Sequence, residues 1–424
     1  KDAPWWENGV EADLPPDFYS SRFIVDKVIE YLDDTDVDDG AEDKPFFAYL
    51  PFQAVHIPVQ APRSFIEPYR GRYDAGWDAL RQERHATAQR LGLIPEGAAL
   101  AALPPEYRSW DSLSEEEQAL YSARMALNAG MIEAMDFHIG RMIEYLKATD
   151  QYDNTIFVVS SDNGPEPNRG DNNAQLSAYF AAVGYDISLE NLGQKGHWGF
   201  IGPEWAAAAA TPGAWYKFYS TDGGVRVPLI IAGPGIEGAE QAARRITSPA
   251  MISDIAPTLL DWAGVAPITG EGAKAMTGRS LMPVLTGQQE SAYAPDEARV
   301  IEVSGNAALY KNDYKITRSV APRGDGQWRL FNLVSDPGET TDLRASEPEI
   351  FADLLAEYDV YAARFGVLDM PEGYDSAAQL LSNTRAKLLA NYPWIYAVLI
   401  GIGLLVLGLV WLIIRRFRRG GEPA

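Results

Sequence analysis

The chain has 424 residues, 46% of them hydrophobic and 11% aromatic, enough for one large α/β core and a smaller appendage. Its net charge of -23, from 36 basic against 59 acidic residues, excludes nucleic acid as a partner, because phosphate binding needs a concentrated basic face and no such cluster precedes residue 415. The absence of cysteine excludes disulfides, thiolate metal sites and cysteine nucleophiles within these residues.

The first residues, Lys1-Asp2-Ala3-Pro4, show no initiator Met and no apolar leader, so the chain is expected to continue upstream. Phe23, Ile24, Val28 and Leu32 fall on one helical face and predict a helix over 17–32, followed by a short apolar strand over 45–50. A long helix is expected over 115–146, where Met125, Ile132, Met135, Ile139, Met142, Ile143 and Leu146 recur at three- and four-residue spacing as core packing. Residues 155–161, TIFVVSS, read as a strand buried on both faces that stops at Asp162-Asn163-Gly164.

Residues 165–215 are rich in Gly, Asn, Pro and Ala with little periodicity, and read as a long excursion over the sheet edge; loops of that length are usually functional. A second buried strand is expected over 227–232, and a helix over 253–264 with Ser253 as N-cap and Gly264 as the stop. Shorter alternating stretches at 300–303, 314–317 and 328–332, then a helix over 347–365, suit a small antiparallel sheet with one helix on it.

The fold class expected is therefore α/β, a mostly parallel sheet flanked by helices over residues 1–290, with an antiparallel subdomain at 291–368. Residues 369–391 form a polar linker. From Trp394 to Ile414 the chain is almost unbroken in apolar character, about the ~20 residues that span hydrocarbon, and Arg415, Arg416, Arg418 and Arg419 follow at once. This predicts one transmembrane helix over 392–417 and a cytoplasmic tail at 418–424, with the main body periplasmic or extracellular by the positive-inside rule.

Ligands of open α/β sheets gather beyond the carboxyl ends of strands, which draws attention to Asp162 and Asn163. Their carboxylate and amide oxygens are hard ligands suited to Ca²⁺ or Mg²⁺; the alternative is an Asx turn closing the strand. His56, just past the predicted strand at 45–50, either projects over the sheet edge or is structural. Lys217 lies among aromatics in Trp215-Tyr216-Lys217-Phe218-Tyr219, a setting for a point-charge clamp on an anion. Lys195 and His197 in the excursion are further candidates for substrate contact. His85 and His138 fall in predicted helices and read as structural; Gly223, Gly224 and Arg226 read as scaffolding; and Trp198, Trp205 and Trp215 either wall a pocket or cover the sheet edge.

Several stretches together resemble bacterial arylsulfatases of the type I sulfatase family, within the alkaline phosphatase superfamily. They are PFFAYLPFQAVHIPVQAP ending at Pro62, the run from Ala129 to the VVSSDNG ending at Gly164, WYKFYSTDGGVRVPLII ending at Ile231, SDIAPTLLDWAGV from Ser253, GRSLMPVLTG from Gly278, and LFNLVSDPGETTDL from Leu330. The resemblance implies a sulfuric ester hydrolase of arylsulfatase type, with a small-molecule sulfate ester as substrate. It implies Ca²⁺, before Mg²⁺, held by Asp162 and Asn163 together with an acidic pair on a strand this chain does not contain. It places His56 and Lys217 on the sulfate group.

The family's nucleophile is a formylglycine made from Cys or Ser in a Cys/Ser-x-Pro-x-Arg motif. Here only Ser335 and Ser346 have Pro two positions on, and both lack the Arg. The nucleophile, and the formylglycine-generating machinery as a partner, are therefore expected to belong to an upstream segment, and the chain as it stands is expected not to hydrolyse esters. A phosphonate or phosphate monoester hydrolase of the same superfamily, and a non-catalytic membrane-tethered binding protein, are the alternatives.

Overall fold

In the computed structural model, which describes residues 4–36, 45–104, 107–170, 180, 184–236, 244–268, 270, 272–303 and 305–419, the longest element is the helix Glu115–Ala148. Ser114 opens it: its hydroxyl accepts from Glu117 N at 3.2 Å while the Glu117 carboxylate accepts from Ser114 N at 3.0 Å. This reciprocal cap satisfies two backbone donors that a helix start leaves unpaired. Met125, Met131 and Met142 on this helix are buried as packing, although Ile132 is 46% exposed.

The helix is the spine on which the rest is laid. The helix Ser20–Asp36 packs Val25 and Leu32 against Met142 and Leu146, and the turn Arg63–Ile66 packs Ile66 against Ala126, Leu127 and Met131. Fully burying a side chain of this size stabilises by about 1.5–3 kcal/mol. A third cluster gathers Trp77, Trp110, Tyr121, Phe200 and Trp205, with Trp77 and Trp205 edge-on at 5.5 Å. Trp205, one of the candidate pocket walls, is thus a core residue whose indole donates to Tyr121 O at 3.0 Å. It lies on the helix Gly202–Ala210, inside the excursion read from sequence as irregular.

The strand arrangement differs from expectation in direction. A two-stranded ladder, β1 (Trp6–Glu7) with β2 (Val10–Glu11), opens the chain, and β3 (Phe157–Ser160) pairs antiparallel with β4 (Leu229–Ala232), Phe157 opposite Ala232 and Ser160 opposite Leu229. Among the described residues no parallel ladder of strands forms, so the α/β class stands while its mostly parallel character is corrected. A continuous apolar run reports burial and carries no information about strand direction. Nor is burial complete on both faces, since Val159 is 42% and Ile230 61% exposed. Residues 45–50, expected as a strand, have no ladder partner, and Phe47 and Tyr49 are about four-fifths exposed.

The antiparallel subdomain matches its prediction with one addition. β5 (Arg299–Val303), β6 (Asn306–Lys311), β7 (Tyr314–Arg318) and β8 (Arg329–Asn332) run in that order as a meander, and the helix Pro348–Phe365 lays Leu354 and Tyr358 on it. Gly264, at φ 65°, stops the helix Ile255–Trp262 as expected, and its neighbour Val265 closes back on Leu260 O. The N-cap position there is Asp254 and not Ser253; its carboxylate makes no cap bond to this helix and accepts instead from Met251 N at 2.7 Å, closing the preceding 3-10 turn.

The chain divides into two compact units, residues 1–318 with 328–367, and residues 319–327 with 368–424. In the second unit the expected linker forms a helix, Ser376–Asn391, and Trp394–Arg419 forms another, separated at Pro393, which lacks the N–H needed to continue. Among the described residues no single helix is long and apolar enough to cross a membrane; Ala378–Asn391 and Tyr396–Leu412 meet that test as a pair bent by 93°. The one straight span expected from sequence over 392–417 does not meet that test as a single helix. Leu404, Leu405 and Leu407 are each about two-thirds exposed. Residues 420–424 of the expected tail lie outside the described residues.

Candidate functional site

β3 ends at Ser160 and delivers Asp162, Asn163, Gly164, Pro165 and Glu166 in one loop. That loop is held by main-chain contact: Gly164 N donates to Gly224 O at 2.8 Å and Lys217 N donates to Pro165 O at 3.1 Å. The approach is so close that a Cβ on Gly164 would sit 1.9 Å from Gly223 O, and one on Gly223 would sit 2.2 Å from Ala214 O. Glycine is required at both positions for this reason. The scaffolding reading of Gly223 and Gly224 is what the packing shows, and Arg226 projects outward at 74% side-chain exposure.

Lys217 is carried on strained backbone. Trp215 and Phe218 on either side of it have φ of 59° and 80°, a region that side chains larger than glycine enter only when the surroundings impose it. Thr221 helps impose it, its hydroxyl donating to Ala214 O at 2.8 Å, and Trp215 stacks on Tyr219 at 4.3 Å. The Lys217 ammonium lies 5.4 Å from the Phe218 ring centre, with 18% of the side chain exposed.

His56 reaches the same point from a loop 161 residues away in sequence. Lys217 Nζ lies 2.9 Å from His56 Nε2. His56 Nδ1 lies 2.8 Å from Ile57 O. A carbonyl oxygen only accepts, so Nδ1 carries the proton, and the Nε2 lone pair receives the Lys217 ammonium proton. The imidazole is 55% exposed and open to a ligand.

Beside both nitrogens stands a residue that sequence reasoning did not single out. Glu166 Oε2 is 2.7 Å from Lys217 Nζ and 3.4 Å from His56 Nε2, and the residue is 7% exposed. Its other oxygen accepts from Asn168 N at 3.0 Å. An acid four positions after Asp162, still within the strand-end loop, was the available signal.

Asp162 is exposed, and among the described residues its carboxylate takes part in no hydrogen bond or ion pair. Asn163 donates its amide N–H to Gly164 O at 2.9 Å, which leaves its Oδ1 as an outward acceptor. These two oxygens fit a hard divalent cation as part of a ligand set. Among the described residues no group of three His, Cys, Asp or Glu side chains gathers for a metal, so the pair does not complete a site by itself.

His197 is corrected from substrate contact to scaffold. It is fully buried, its Nδ1 accepts from Gly193 N at 3.3 Å, and its carbonyl accepts from Gln60 Nε2 at 2.8 Å. With Val59 N on Gly199 O at 2.8 Å, this ties the His56 loop to the excursion. Lys195 beside it is exposed. His138 is buried with Arg141 against its ring, as a structural reading requires, and burial lowers its pKa.

Burial first, and the Arg124 guanidinium second, lower the His197 pKa from 6.5 to about 4. Between those values the folded chain binds fewer protons here than the unfolded chain, so stability is full above 6.5 and is lost as pH falls toward 4. The expected loss is roughly 3 kcal/mol. Urea midpoints at pH 7 and pH 4.5 for the protein and for His197→Gln measure it. An acid slope as steep in the variant as in the parent would reject the assignment.

An α/β chain with an acid–amide pair at a strand end and two basic groups meeting on Glu166 of the same loop belongs to the sulfatase/alkaline phosphatase-like class. The Sulfatase family model matches residues 1–265, and the chain is a member of that family. It is 33% identical over 366 residues to an uncharacterized sulfatase of Schizosaccharomyces pombe, covering 84% of this chain and 64% of that one. It is 31% identical over 293 residues to an arylsulfatase of Klebsiella aerogenes, covering 69% and 60%. The crystal structure of Ps i-CgsB in complex with k-i-k-neocarrahexaose superposes with a TM-score of 0.55 at 20% identity, covering 85% of this chain and 58% of that one, a likeness of fold. The chain thus spans less than two thirds of the length of these relatives.

Proposed function

We propose that this chain is part of a sulfuric ester hydrolase of arylsulfatase type, in which Lys217 and His56 receive the sulfate group of a small-molecule ester. The observation that carries the reading is the 2.9 Å approach of Lys217 Nζ to His56 Nε2, beside Glu166 of the loop that also bears Asp162 and Asn163. Family membership and the arylsulfatase relative support the choice of ester.

The roles follow from the chemistry of each group. Lys217 offers a point charge with rotatable donors to a non-bridging oxygen. His56, its Nδ1–H anchored on Ile57 O, presents Nε2 to the ligand in a fixed orientation. On gaining a proton there it becomes a second donor. The partial burial of Lys217 and the aromatic ring of Phe218 limit competition from water. Asp162 and Asn163 would hold part of a calcium site that an upstream acidic pair completes; that ion would supply positive charge to the sulfate oxygens, and an upstream formylglycine would supply the nucleophile.

In the full-length gene product, Asp162→Ala is expected to lower hydrolysis of 4-nitrophenyl sulfate at least about 100-fold, and a calcium chelator is expected to do the same. Turnover that survives chelation would falsify the metal assignment. The chain without its upstream segment is expected to be inactive in that assay.

We further place the enzyme at a membrane, single-pass, its main body periplasmic or extracellular and its C-terminus cytoplasmic. The exposed leucines of Trp394–Arg419 and the arginines that follow Ile414 support this.

A further inference from the structure

We propose that Glu166 is a specificity-determining residue, a buried negative charge that makes the Lys217–His56 pair prefer singly charged tetrahedral esters over doubly charged ones. The proposal rests on the reading above, that this pair receives the ester anion.

Three observations carry it. Glu166 is almost fully buried, yet its Oε2 lies 2.7 Å from Lys217 Nζ and 3.4 Å from His56 Nε2. The carboxylate cannot swing away cheaply, because Oε1 is engaged by Asn168 N and the preceding Pro165 O is engaged by Lys217 N. The His56 Nδ1–H is spent on Ile57 O, so Nε2 is the ring atom that faces Lys217 and Glu166 and that accepts from the Lys217 ammonium.

The charge count follows directly. Ammonium and carboxylate cancel, and the imidazole adds nothing until it takes up a proton. A ligand oxygen that reaches Lys217 Nζ or His56 Nε2 therefore comes within a few ångströms of the Glu166 carboxylate. A sulfate monoester brings one negative charge. A phosphate monoester brings close to two above its second ionisation near pH ~6. The second charge gains from Lys217 and loses to Glu166 at similar distances, so it adds little attraction while its desolvation must still be met. At the effective screening of a protein surface, one unit charge at such a distance moves an equilibrium by more than about an order of magnitude.

Binding tests this without turnover. The chain holds four histidines, so selective ¹³C labelling of histidine gives four ring signals, and His56→Asn identifies the relevant one. Methyl sulfate and methyl phosphate are titrated at pH 8 with that signal as readout. The protein should bind methyl sulfate the more tightly, Glu166→Gln should shift the ratio toward methyl phosphate at least about tenfold, and Glu166→Asp should keep the parental order. A second measurement needs no variant. Between pH 8 and pH 5 methyl phosphate loses its second charge and should gain at least about tenfold in affinity relative to methyl sulfate, whose charge is constant and which corrects for protonation of His56.

An unchanged ratio in Glu166→Gln, or no relative gain at pH 5, with both esters still moving the His56 signal, overturns the role of Glu166 and leaves the anion site standing. Failure of both esters to move the signal in the parent protein overturns the anion site and this proposal together.

Discussion

Lys217→Ala in the full-length gene product is expected to lower kcat/KM for 4-nitrophenyl sulfate by about 10²–10³-fold, the usual cost of removing one preorganised charge from a developing anion. The loss has two sources. The ammonium proposed to meet the sulfate oxygen disappears, and the Glu166 carboxylate 2.7 Å from it is left buried without its counter-charge, facing His56. The second source also predicts that arginine is no substitute. A planar guanidinium needs a wider slot than the one between Glu166, His56 and the Phe218 ring, so Lys217→Arg should recover less than a tenth of the loss, as about 1.4 kcal/mol of misfit suffices for that. A fall of less than tenfold on removing Lys217 would take it out of the site.

Lys315→Met is expected to destabilise the fold by about 3–5 kcal/mol, read as a lower urea midpoint. Lys315 on β7 is fully buried, with Asp222 Oδ1 at 2.7 Å and Glu339 Oε1 at 2.8 Å; Asp222 N in turn donates to Glu339 Oε2 at 2.6 Å, and Tyr310 Oη donates to Asp222 Oδ1 at 2.9 Å. Methionine removes the ammonium and leaves two carboxylates in the interior, with only the largely exposed Arg226 guanidinium 3.7 Å from Asp222 Oδ2. The effect should reach the site, because the turn Asp222–Val225 presents Gly224 O to Gly164 N, ahead of Glu166.

This cluster also titrates in a defined sense. Burial raises the Glu339 pKa from 4.5 to about 7, whereas Lys315 holds Asp222 below the usual carboxylate range against its own burial. Between 4.5 and about 7 the folded chain holds the Glu339 proton more tightly than the unfolded chain, so this group's contribution falls as pH rises through that window. Asp222 acts oppositely: its contribution is present above the ordinary aspartate value and is lost as pH falls below it. The three groups titrate as a unit, so the slopes belong to the triad.

Much of the site was legible because its chemistry sits at places that short patterns mark. A β-branched run that stops at Asp-Asn-Gly marks a strand end, and Asp162 and Asn163 lie there. His56 and Lys217 were singled out by their neighbours and by resemblance, and the fold brings them to 2.9 Å. Glu166 was missed because nothing local distinguishes a carboxylate that pairs with a distant lysine from one that faces water. His197 was misread because a His-Trp-Gly run in a polar loop carries no mark of burial. The helix Gly202–Ala210 was missed for a related reason: it is buried on nearly every side, and a helix without a polar face shows no 3.6-residue alternation.

What the residues alone determined is local: the helix Glu115–Ala148, the stop at Gly264, the antiparallel sheet, and the residue types available for an anion and a cation. These rest on backbone propensity, caps and short-range periodicity, which act over a few residues. The tertiary structure alone decided the antiparallel pairing of β3 with β4, the burial of His197, and the placing of Glu166 beside Lys217 and His56. Those outcomes depend on loops far apart in sequence meeting at glycines that admit no side chain, and such long-range packing leaves no periodic trace in the chain.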